Sequence, residues 1–265
     1  MTAAGELLAL AIDLAARAGD TALAGRRGAV VDPGTKSTAT DLVTAFDKAA
    51  EATIVDGLAT ARPHDAIVGE EGTDRPGTSG ISWYVDPIDG TTNFVYDLPP
   101  WSTSIAAADG DGMLVAVVYA PAVGELFAAI RGEGATLGGQ PIRCSDRTEL
   151  ALALVGTGFA YAADRRREQA AILGDLIGAI RDIRRLGSAA LDLCYVAAGR
   201  YDAYFETGLN RWDAAAGELI AREAGCRSGD HRGGPPRPEE LLVSTPAIFA
   251  DLQARLAAAT ARRAP

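Results

Sequence analysis

The chain has 265 residues, of which 48% are hydrophobic and 23% charged, and its formal net charge at pH 7 is −10. At about 150 residues per domain, this length predicts one large domain or two closely packed ones. The composition excludes a disordered, collagen-like or coiled-coil chain. The acidic balance argues against a nucleic-acid binder, which needs a basic face to displace counterions. It is compatible with a phosphate ligand if a metal cation lies between the two negative partners.

The sequence indicates neither a targeting signal nor a membrane-spanning helix. Its N-terminus lacks the basic start of a secretory signal, and no run approaches about 18 uncharged apolar residues, so we expect a cytoplasmic protein. The three cysteines, Cys144, Cys194 and Cys226, are widely spaced and suggest neither a disulfide framework nor a zinc site. Cys194 lies in an apolar run and is predicted to be a small core residue.

The N-terminal half is predicted to contain two helices followed by a sheet. Apolar residues at helical spacing predict helices over 6–24 and 41–60, with a polar loop over 32–37 between them. After these helices, short β-branched and aromatic runs alternate with turn residues, which predicts a mainly antiparallel sheet. The expected strands are Ala66–Val68, Trp83–Val85, Ser102–Ala107, Met113–Val118 and Glu125–Ala129.

The C-terminal half alternates between strand-like and helical segments. Strands are expected at Leu152–Val155, Ala203–Glu206 and Leu241–Val243, and helices at Asp164–Ile180, Ser188–Ala198, Ala214–Ala224 and Pro246–Ala259. Blocks of strands between helices predict an α+β fold in layers, with lobes over 1–145 and 146–265 packed as one unit. The segment after Gly225 looks too short for a strand, and the Gly- and Pro-rich patch 228–238 is predicted to be an exposed, flexible turn.

The stretch from Trp83 to Phe94 carries the most chemical information. A buried apolar strand runs into Asp86 and Asp89, with a proline between them, and Gly90 then allows a turn into a helix that begins near Thr91. Hard oxygen ligands beside the free N–H groups of a helix start suit a divalent cation that bridges to a phosphate. The same pentapeptide, Asp-Pro-Ile-Asp-Gly, is also compatible with an ordinary tight turn.

Two further acidic sites accompany this stretch. Glu70 and Glu71 follow another short strand, and Asp213 precedes an apolar helix. Taken singly, Asp213 is explained by N-capping, and Glu70 or Glu71 by a solvated loop. Together, the three acidic sites resemble the inositol monophosphatase family of the lithium-sensitive, magnesium-dependent phosphatase superfamily. The resemblance is carried by Asp86–Phe94, Gly69–Glu71, Trp212–Gly217, Lys36, Ser37, Asp41, Asp47 and Gly187–Ala190, and residues 184–225 resemble actinobacterial members.

The resemblance implies a five-layered αβαβα sandwich, usually a homodimer. It implies metal binding by Glu70, Asp86, Asp89 and Asp213 and by the backbone carbonyl of Ile88. Glu70 and Thr91 match the pair that orients the attacking water, with Asp47 holding the threonine. The positions matched to phosphate and substrate contacts are Asp89, Gly90, Thr91, Thr92, Ala189, Glu206 and Asp213.

The activity implied is hydrolysis of inositol 1-phosphate to inositol and phosphate by metal-activated water, with two or three Mg²⁺ ions. Such ions lower the pKa of bound water and clamp the attacking and leaving oxygens, so that no covalent intermediate is needed. A small phosphorylated polyol is the expected substrate, and no nucleic-acid or membrane partner is expected.

Alternative functions remain open at this point. Phosphatases for histidinol phosphate, fructose 1,6-bisphosphate and 3′-phosphoadenosine-5′-phosphate share the metal core of the superfamily. An aspartyl-phosphate phosphatase of the haloacid type is disfavoured, since it needs acids two residues apart, whereas Asp86 and Asp89 are three apart. A regulatory, protein-binding role is the alternative of another class.

Overall fold

A computed structural model describes residues 2–27, 33–36 and 42–262. In these ranges the chain forms seven α-helices and fourteen strands. The helices are α1 (Ala3–Arg26), α2 (Ala45–Ala61), α3 (Thr91–Val95), α4 (Ala163–Leu176), α5 (Ala189–Ala197), α6 (Arg211–Glu223) and α7 (Pro246–Ala261). The strands are β1 (Gly34–Thr35), β2 (Leu42–Val43), β3 (Ala66–Gly69), β4 (Ser82–Asp89), β5 (Ser102–Asp109), β6 (Gly112–Ala120), β7 (Glu125–Ile130), β8 (Gly134–Leu137), β9 (Gln140–Pro141), β10 (Leu154–Thr157), β11 (Asp182–Arg184), β12 (Ala203–Thr207), β13 (Arg227–Gly229) and β14 (Glu240–Ser244).

Two sheets and three helix layers form the predicted five-layered sandwich. The first sheet contains strands β3 to β9 in sequence order, with β3 parallel to β4 and every later neighbour antiparallel. The second sheet has the order β11-β10-β12-β14-β13. Helices α1 and α2 cover one face of the first sheet, α5 and α6 lie between the sheets, and α4 and α7 cover the outer face of the second. The α+β layered fold expected from the sequence is confirmed.

Hydrophobic burial holds these layers together. One cluster joins α1 and α2 to the first sheet through residues such as Leu14, Ile54 and Trp83. The central cluster joins the other face of that sheet to α5, α6 and the second sheet, and it therefore draws on residues from both halves of the chain. Fully burying one large aliphatic or aromatic side chain contributes about 1.5–3 kcal/mol, so these clusters supply most of the driving force. The division into lobes 1–145 and 146–265 stays a prediction.

Several predicted boundaries were wrong by a few residues. The helix expected over 41–60 begins only at Ala45, because Thr44 caps it and the preceding Leu42–Val43 pairs as a strand with Gly34–Thr35 inside the expected polar loop. The strand expected at 152–155 lies at Leu154–Thr157 and follows a 3₁₀ turn. Helix α4 ends at Leu176 and continues as a 3₁₀ turn, and β11 was not predicted. Ser37 and Asp41 lie outside the described residues.

The patch 228–238 is more ordered than the sequence indicated. Arg227–Gly229 forms a strand antiparallel to β14, where a strand was doubted. His231, inside the patch, is fully buried against Phe205 and lies within hydrogen-bond distance of the Leu241 carbonyl. Asp230 organises the turn by accepting hydrogen bonds from the backbone N–H groups of Arg232 and Gly234. Because the Asp230 carboxylate binds backbone groups of its own loop, the patch is ordered, although its Gly and Pro residues suggested flexibility.

Two further features considered in the sequence are the cysteines and the length of the apolar helices. Cys194 is fully buried in α5, as predicted, and all three cysteines are free thiols. No helix in the described ranges combines the length and the apolar character that crossing a bilayer requires.

Candidate functional site

Strand β4 delivers two of the acidic side chains. Its pairing with β5 shifts register between Asp86 and Asp89, on either side of Pro87, which has no N–H to give to the ladder. The Pro87 carbonyl is instead held by the Thr103 hydroxyl at 2.9 Å. Such an irregularity re-aims side chains at the end of a strand. Both carboxyl groups are buried and line the same cavity.

Glu70 reaches this site because β3 runs parallel to β4. Gly69 pairs with Val85, and the Glu70 N–H donates to the Val85 carbonyl at 3.1 Å, so the two strands end at the same edge. Lys36 lies against this edge, with Nζ 2.8 Å from Glu70 Oε1 and 2.5 Å from Glu71 Oε1. Burial lowers the pKa of Lys36, but the charges and hydrogen bonds of the two glutamates outweigh it and raise the net pKa above its usual value.

Thr91 and Asp47 form a buried pair beside the acids. Thr91 Oγ1 lies 3.1 Å from Asp47 Oδ1 and 3.1 Å from the Ile88 carbonyl oxygen. Asp47 in turn accepts hydrogen bonds from the backbone N–H and the hydroxyl of Thr44, and so caps α2. Burial raises the pKa of Asp47, although the Thr44 hydrogen bonds oppose that shift. Asp47 is completely buried, and of the pair only Thr91 lines the cavity.

Asp89 is fixed by the beginning of α5. Its Oδ2 accepts from the Ser188 hydroxyl at 2.6 Å and from the Ala190 N–H at 2.8 Å, and its Oδ1 accepts from the Ala189 N–H at 3.3 Å. The partial positive charge of a helix start favours a carboxylate there. Burial nevertheless raises the pKa of Asp89 to about 6, against the lowering effect of these hydrogen bonds.

Asp213 stabilises the start of α6 from the third helical position, whereas the N-cap itself is Asn210. In the first turn of α6, its Oδ2 accepts a hydrogen bond from the Asn210 N–H at 2.6 Å, which stabilises the helix start. The same side chain lines the cavity that contains Glu70, Asp86 and Asp89. Burial, followed by the negative charges of Glu70 and Asp89, raises the pKa of Asp213 well above its ordinary value.

Crowding of these carboxyl groups is the main electrostatic feature of the site. The pKa of Asp86 is raised well above its usual range by burial and then by the charges of Glu70, Asp89 and Asp213. Glu70 Oε2 is buried without a hydrogen-bond partner in the described part of the chain. Among the described residues, no three Asp, Glu, His or Cys side chains are arranged to hold a metal ion by themselves.

These observations fit a divalent cation that takes hard oxygen ligands. A cation would neutralise the crowded carboxylates and give the orphaned Glu70 oxygen a partner. Mg²⁺ in particular is usually held by one or two carboxylates together with waters and substrate phosphate oxygens, so an all-protein cage is not needed.

The same cavity is also lined by a different group of side chains. Glu206 hydrogen-bonds the hydroxyl of Tyr204 and packs so closely on Gly158 that a Cβ there would meet its carboxyl oxygen at 1.9 Å. Burial raises the pKa of Glu206 to about 7. Arg185 and the buried Asp192 line the cavity too.

The structure brings most predicted site residues into one cavity of about 360 Å³. Those that line it are Glu70, Asp86, Ile88, Asp89, Gly90, Thr91, Ala189, Glu206 and Asp213. Asp47 lies behind Thr91, and Thr92 is not part of the cavity wall.

Sequence reasoning missed Asp192 and Tyr204, which both line the cavity. The available signal for Asp192 was an acid within an otherwise apolar helical run, and buried charges are rare unless they have a role or a partner. Burial raises the pKa of this carboxyl well above its usual range, and its Oδ1 has no hydrogen-bond partner among the described residues.

Comparison with known proteins gives a consistent picture. The profile of the inositol monophosphatase family matches residues 4–264. An inositol-1-monophosphatase of Mycobacterium leprae is 47% identical over 227 residues, 82% of this chain and 78% of that protein. The Nus factor SuhB of Escherichia coli K12 is 47% identical over 196 residues, 73% of either chain. The solved structure of Mycobacterium tuberculosis SuhB superimposes with a TM-score of 0.82 at 38% identity, over 96% of this chain and 97% of that one.

Proposed function

Because this chain belongs to the inositol monophosphatase family and is a phosphatase, we propose that it hydrolyses inositol 1-phosphate to inositol and phosphate in a Mg²⁺-dependent reaction. The observation that carries this proposal is a single cavity lined by two chemically distinct groups of residues. Crowded carboxylates and a helix start form one group, and Glu206 with Tyr204 forms the other. The first suits a phosphate with its metal ions, and the second suits the hydroxyl groups of a polyol.

The metal-binding residues in this proposal are Glu70, Asp86, Asp89 and Asp213, together with the backbone carbonyl of Ile88. They supply the hard oxygen donors that two or three Mg²⁺ ions require. When bound, such ions lower the pKa of a coordinated water and neutralise charge on the phosphate and the leaving alkoxide.

The protein's own groups orient the reactants. Thr91, held by Asp47, and Glu70 are placed to position the attacking water, since the hydroxyl and the carboxylate face the same cavity. Gly90, Thr91 and Thr92 lie at the start of α3. Their backbone N–H groups have no acceptors within that helix, so these groups are available to phosphate oxygens. Because the Thr91 hydroxyl is preorganised by buried hydrogen bonds to Asp47 and to the Ile88 carbonyl, it needs little reorganisation during the reaction.

The alcohol part of the substrate is assigned to the group that contains Glu206 and Tyr204. Glu206 accepts a hydrogen bond from a substrate hydroxyl, and Ala189 and Asp213 flank the position between alcohol and phosphate. The phosphatases for histidinol phosphate, fructose 1,6-bisphosphate and 3′-phosphoadenosine-5′-phosphate remain the alternative activities. The metal-binding residues do not distinguish them, because those residues contact the phosphate and not the alcohol.

Phosphate release from four substrates tests the proposal: inositol 1-phosphate, histidinol phosphate, fructose 1,6-bisphosphate and 3′-phosphoadenosine-5′-phosphate, each with Mg²⁺ and with chelator. We expect chelator-sensitive release with the highest kcat/KM for inositol 1-phosphate. A higher value for another substrate overturns the substrate assignment and keeps the metal site. Equal release with chelator present overturns the metal assignment.

Several relatives are named Nus factor SuhB. This name supports a second candidate function, a role as a protein-binding partner. An Asp89→Asn variant separates the two functions, because it removes a carboxylate from the site while leaving the surface unchanged. If the variant lacks phosphatase activity but still restores growth to cells that lack this protein, the partner role is supported. If growth depends on activity, the enzymatic role accounts for the requirement.

We further propose a lithium-sensitive homodimer located in the cytoplasm, with no nucleic-acid or membrane partner. These properties follow from the family and from the acidic net charge of −10. Inhibition by LiCl in the same phosphate-release assay and the mass in solution by light scattering test the first two.

A further inference from the structure

The turn after α6 places Cys226 against another part of the chain. Gly225 has a positive φ of 89°, which a glycine adopts without strain. The Cys226 N–H then donates to the Ala221 carbonyl and the Gly225 N–H to the Arg222 carbonyl, both at 3.0 Å. This pair of bonds is a Schellman motif, in which the chain reverses at the helix end. As a result, the Cys226 side chain turns into the central hydrophobic cluster.

Cys144 meets it from the segment that follows β9. The Cys144 N–H donates to the Ala224 carbonyl at 2.9 Å, which ties this segment to the end of α6. Cys144 Sγ lies 3.8 Å from the position that a Cβ on Gly225 would take. These two contacts place Cys144 beside the turn that carries Cys226. Cys144 is partly exposed, whereas Cys226 is buried.

The two thiols differ in reactivity. A hydrogen bond from the neighbouring Cys226 thiol is the main cause that lowers the pKa of Cys144 to about 6, which favours its thiolate form. The same bond raises the pKa of Cys226, which keeps its proton. An accessible thiolate beside a second thiol is the arrangement found at oxidation-sensitive cysteine sites. Cys194 lacks these features, since it is fully buried and burial raises its pKa.

We propose that Cys144 and Cys226 form an oxidation site that reacts with a hydroperoxide and closes into a reversible disulfide. The Cys144 thiolate attacks the O–O bond, forming a sulfenic acid and releasing the other oxygen as hydroxide or an alcohol. Cys226 then attacks the Cys144 sulfur, the S–S bond forms, the S–O bond breaks, and water leaves with the thiol proton. Two electrons pass from the thiols to the peroxide, and a dithiol returns them. This inference does not depend on the proposed phosphatase reaction.

Peptide mapping of the full-length protein tests the proposal. The protein is treated with hydrogen peroxide in small excess, its remaining thiols are alkylated, and it is digested without reduction for mass spectrometry. We expect an intramolecular disulfide between the peptides containing Cys144 and Cys226, the loss of two of the three free thiols, and reversal by dithiothreitol. Oxidation of Cys144 to a sulfinic acid without this cross-link, or only chain-to-chain disulfides, overturns the proposal.

Three variants assign the roles. In Cys226→Ser, we expect a Cys144 sulfenic acid that dimedone traps and no disulfide. In Cys144→Ser, Cys226 should remain reduced, and oxidation of Cys226 at the wild-type rate contradicts the role of Cys144 as the attacking thiol. Cys194→Ser is the matched control and should form the disulfide like the wild type. If the buried Cys226→Ser substitution prevents folding, the wild-type map and Cys144→Ser still decide the outcome.

Discussion

Thr91 Oγ1 lies 3.1 Å from Asp47 Oδ1, although the two residues are 44 positions apart in the chain. Asp47 also accepts hydrogen bonds from Thr44 at the start of α2. One carboxylate therefore links the first helix layer to the helix start that borders the cavity. Because a hydroxyl fixed from behind has a defined orientation, this contact positions whatever water Thr91 binds.

Removing the Thr91 hydroxyl should remove this positioning while preserving volume. Thr91→Val is expected to lower kcat by about 100-fold or more, as for other lost proton-transfer or orienting groups. Thr91→Ser keeps the hydroxyl and is the matched control, with kcat near that of the wild type. Steady-state kinetics with inositol 1-phosphate measure both. A Thr91→Val enzyme with wild-type kcat would show that the hydroxyl has no part in the reaction.

Asp86→Asn should raise the stability of the metal-free protein and remove its stabilisation by Mg²⁺. Removing one of four crowded carboxylates relieves repulsion, so we expect Tm in chelator to rise by about 2–4 °C, which corresponds to about 1 kcal/mol for a chain of this size. The Mg²⁺-induced rise in Tm should disappear, because a ligand is lost. Asp164→Asn is the control, since its side chain is 92% exposed and should change neither quantity. An unchanged Mg²⁺ response in Asp86→Asn would place the metal elsewhere.

The effect of Mg²⁺ on stability should depend on pH. The folded-state pKa of Asp89 is raised from 3.8 to about 6. A carboxyl with a raised pKa stabilises the fold fully below its unfolded value, and this contribution is lost as pH rises through about 6. A metal needs the ionised form. Mg²⁺ should therefore raise Tm more at pH 7.5 than at pH 5.5, measured against NaCl of equal ionic strength. Equal shifts at both pH values would argue against carboxylate ligation.

Glu206→Gln tests the proposed contact between Glu206 and the alcohol part of the substrate. A hydrogen bond to a charged group contributes about 1.5–3 kcal/mol, so kcat/KM for inositol 1-phosphate should fall by about 10- to 100-fold. For p-nitrophenyl phosphate, which has no alcohol hydroxyls, little change is expected. Since burial raises the pKa of Glu206 to about 7, wild-type kcat/KM for inositol 1-phosphate should rise as pH increases through that value. If kcat/KM depends on pH in this way in the wild type but not in Glu206→Gln, the titrating group is Glu206.

Gly158→Ala approaches the same carboxyl from the other side. The added Cβ would lie 1.9 Å from Glu206 Oε2, so the carboxyl group must move away from its present position. We expect a higher KM for inositol 1-phosphate with a smaller effect on kcat. Gly174→Ala in α4 is the matched control, because no atom lies within 4 Å of its added Cβ. If both variants have wild-type KM, the position of Glu206 does not influence substrate binding.

The acids of the candidate site could be located in the sequence because they lie at the ends of secondary-structure elements, and the family resemblance implied that they act together. Asp86 and Asp89 lie at the carboxyl end of β4, Glu70 directly follows β3, and Asp213 lies in the first turn of α6. The glycine after Asp89 predicts a turn into a helix, which the structure contains. These features depend on neighbouring residues and are therefore readable locally.

Other features depended on the order of strands and the packing of layers. No local pattern places Asp192 and Arg185 beside Glu206, or Cys144 beside Cys226, and the burial of His231 in a Gly- and Pro-rich turn was not predicted. The sequence by itself determined the acidic residues, most of the helices and strands and the layered fold class, because periodicity and turn chemistry act over a few residues. Only the tertiary structure decided which distant side chains meet, because such contacts arise when the helix layers and sheets pack together.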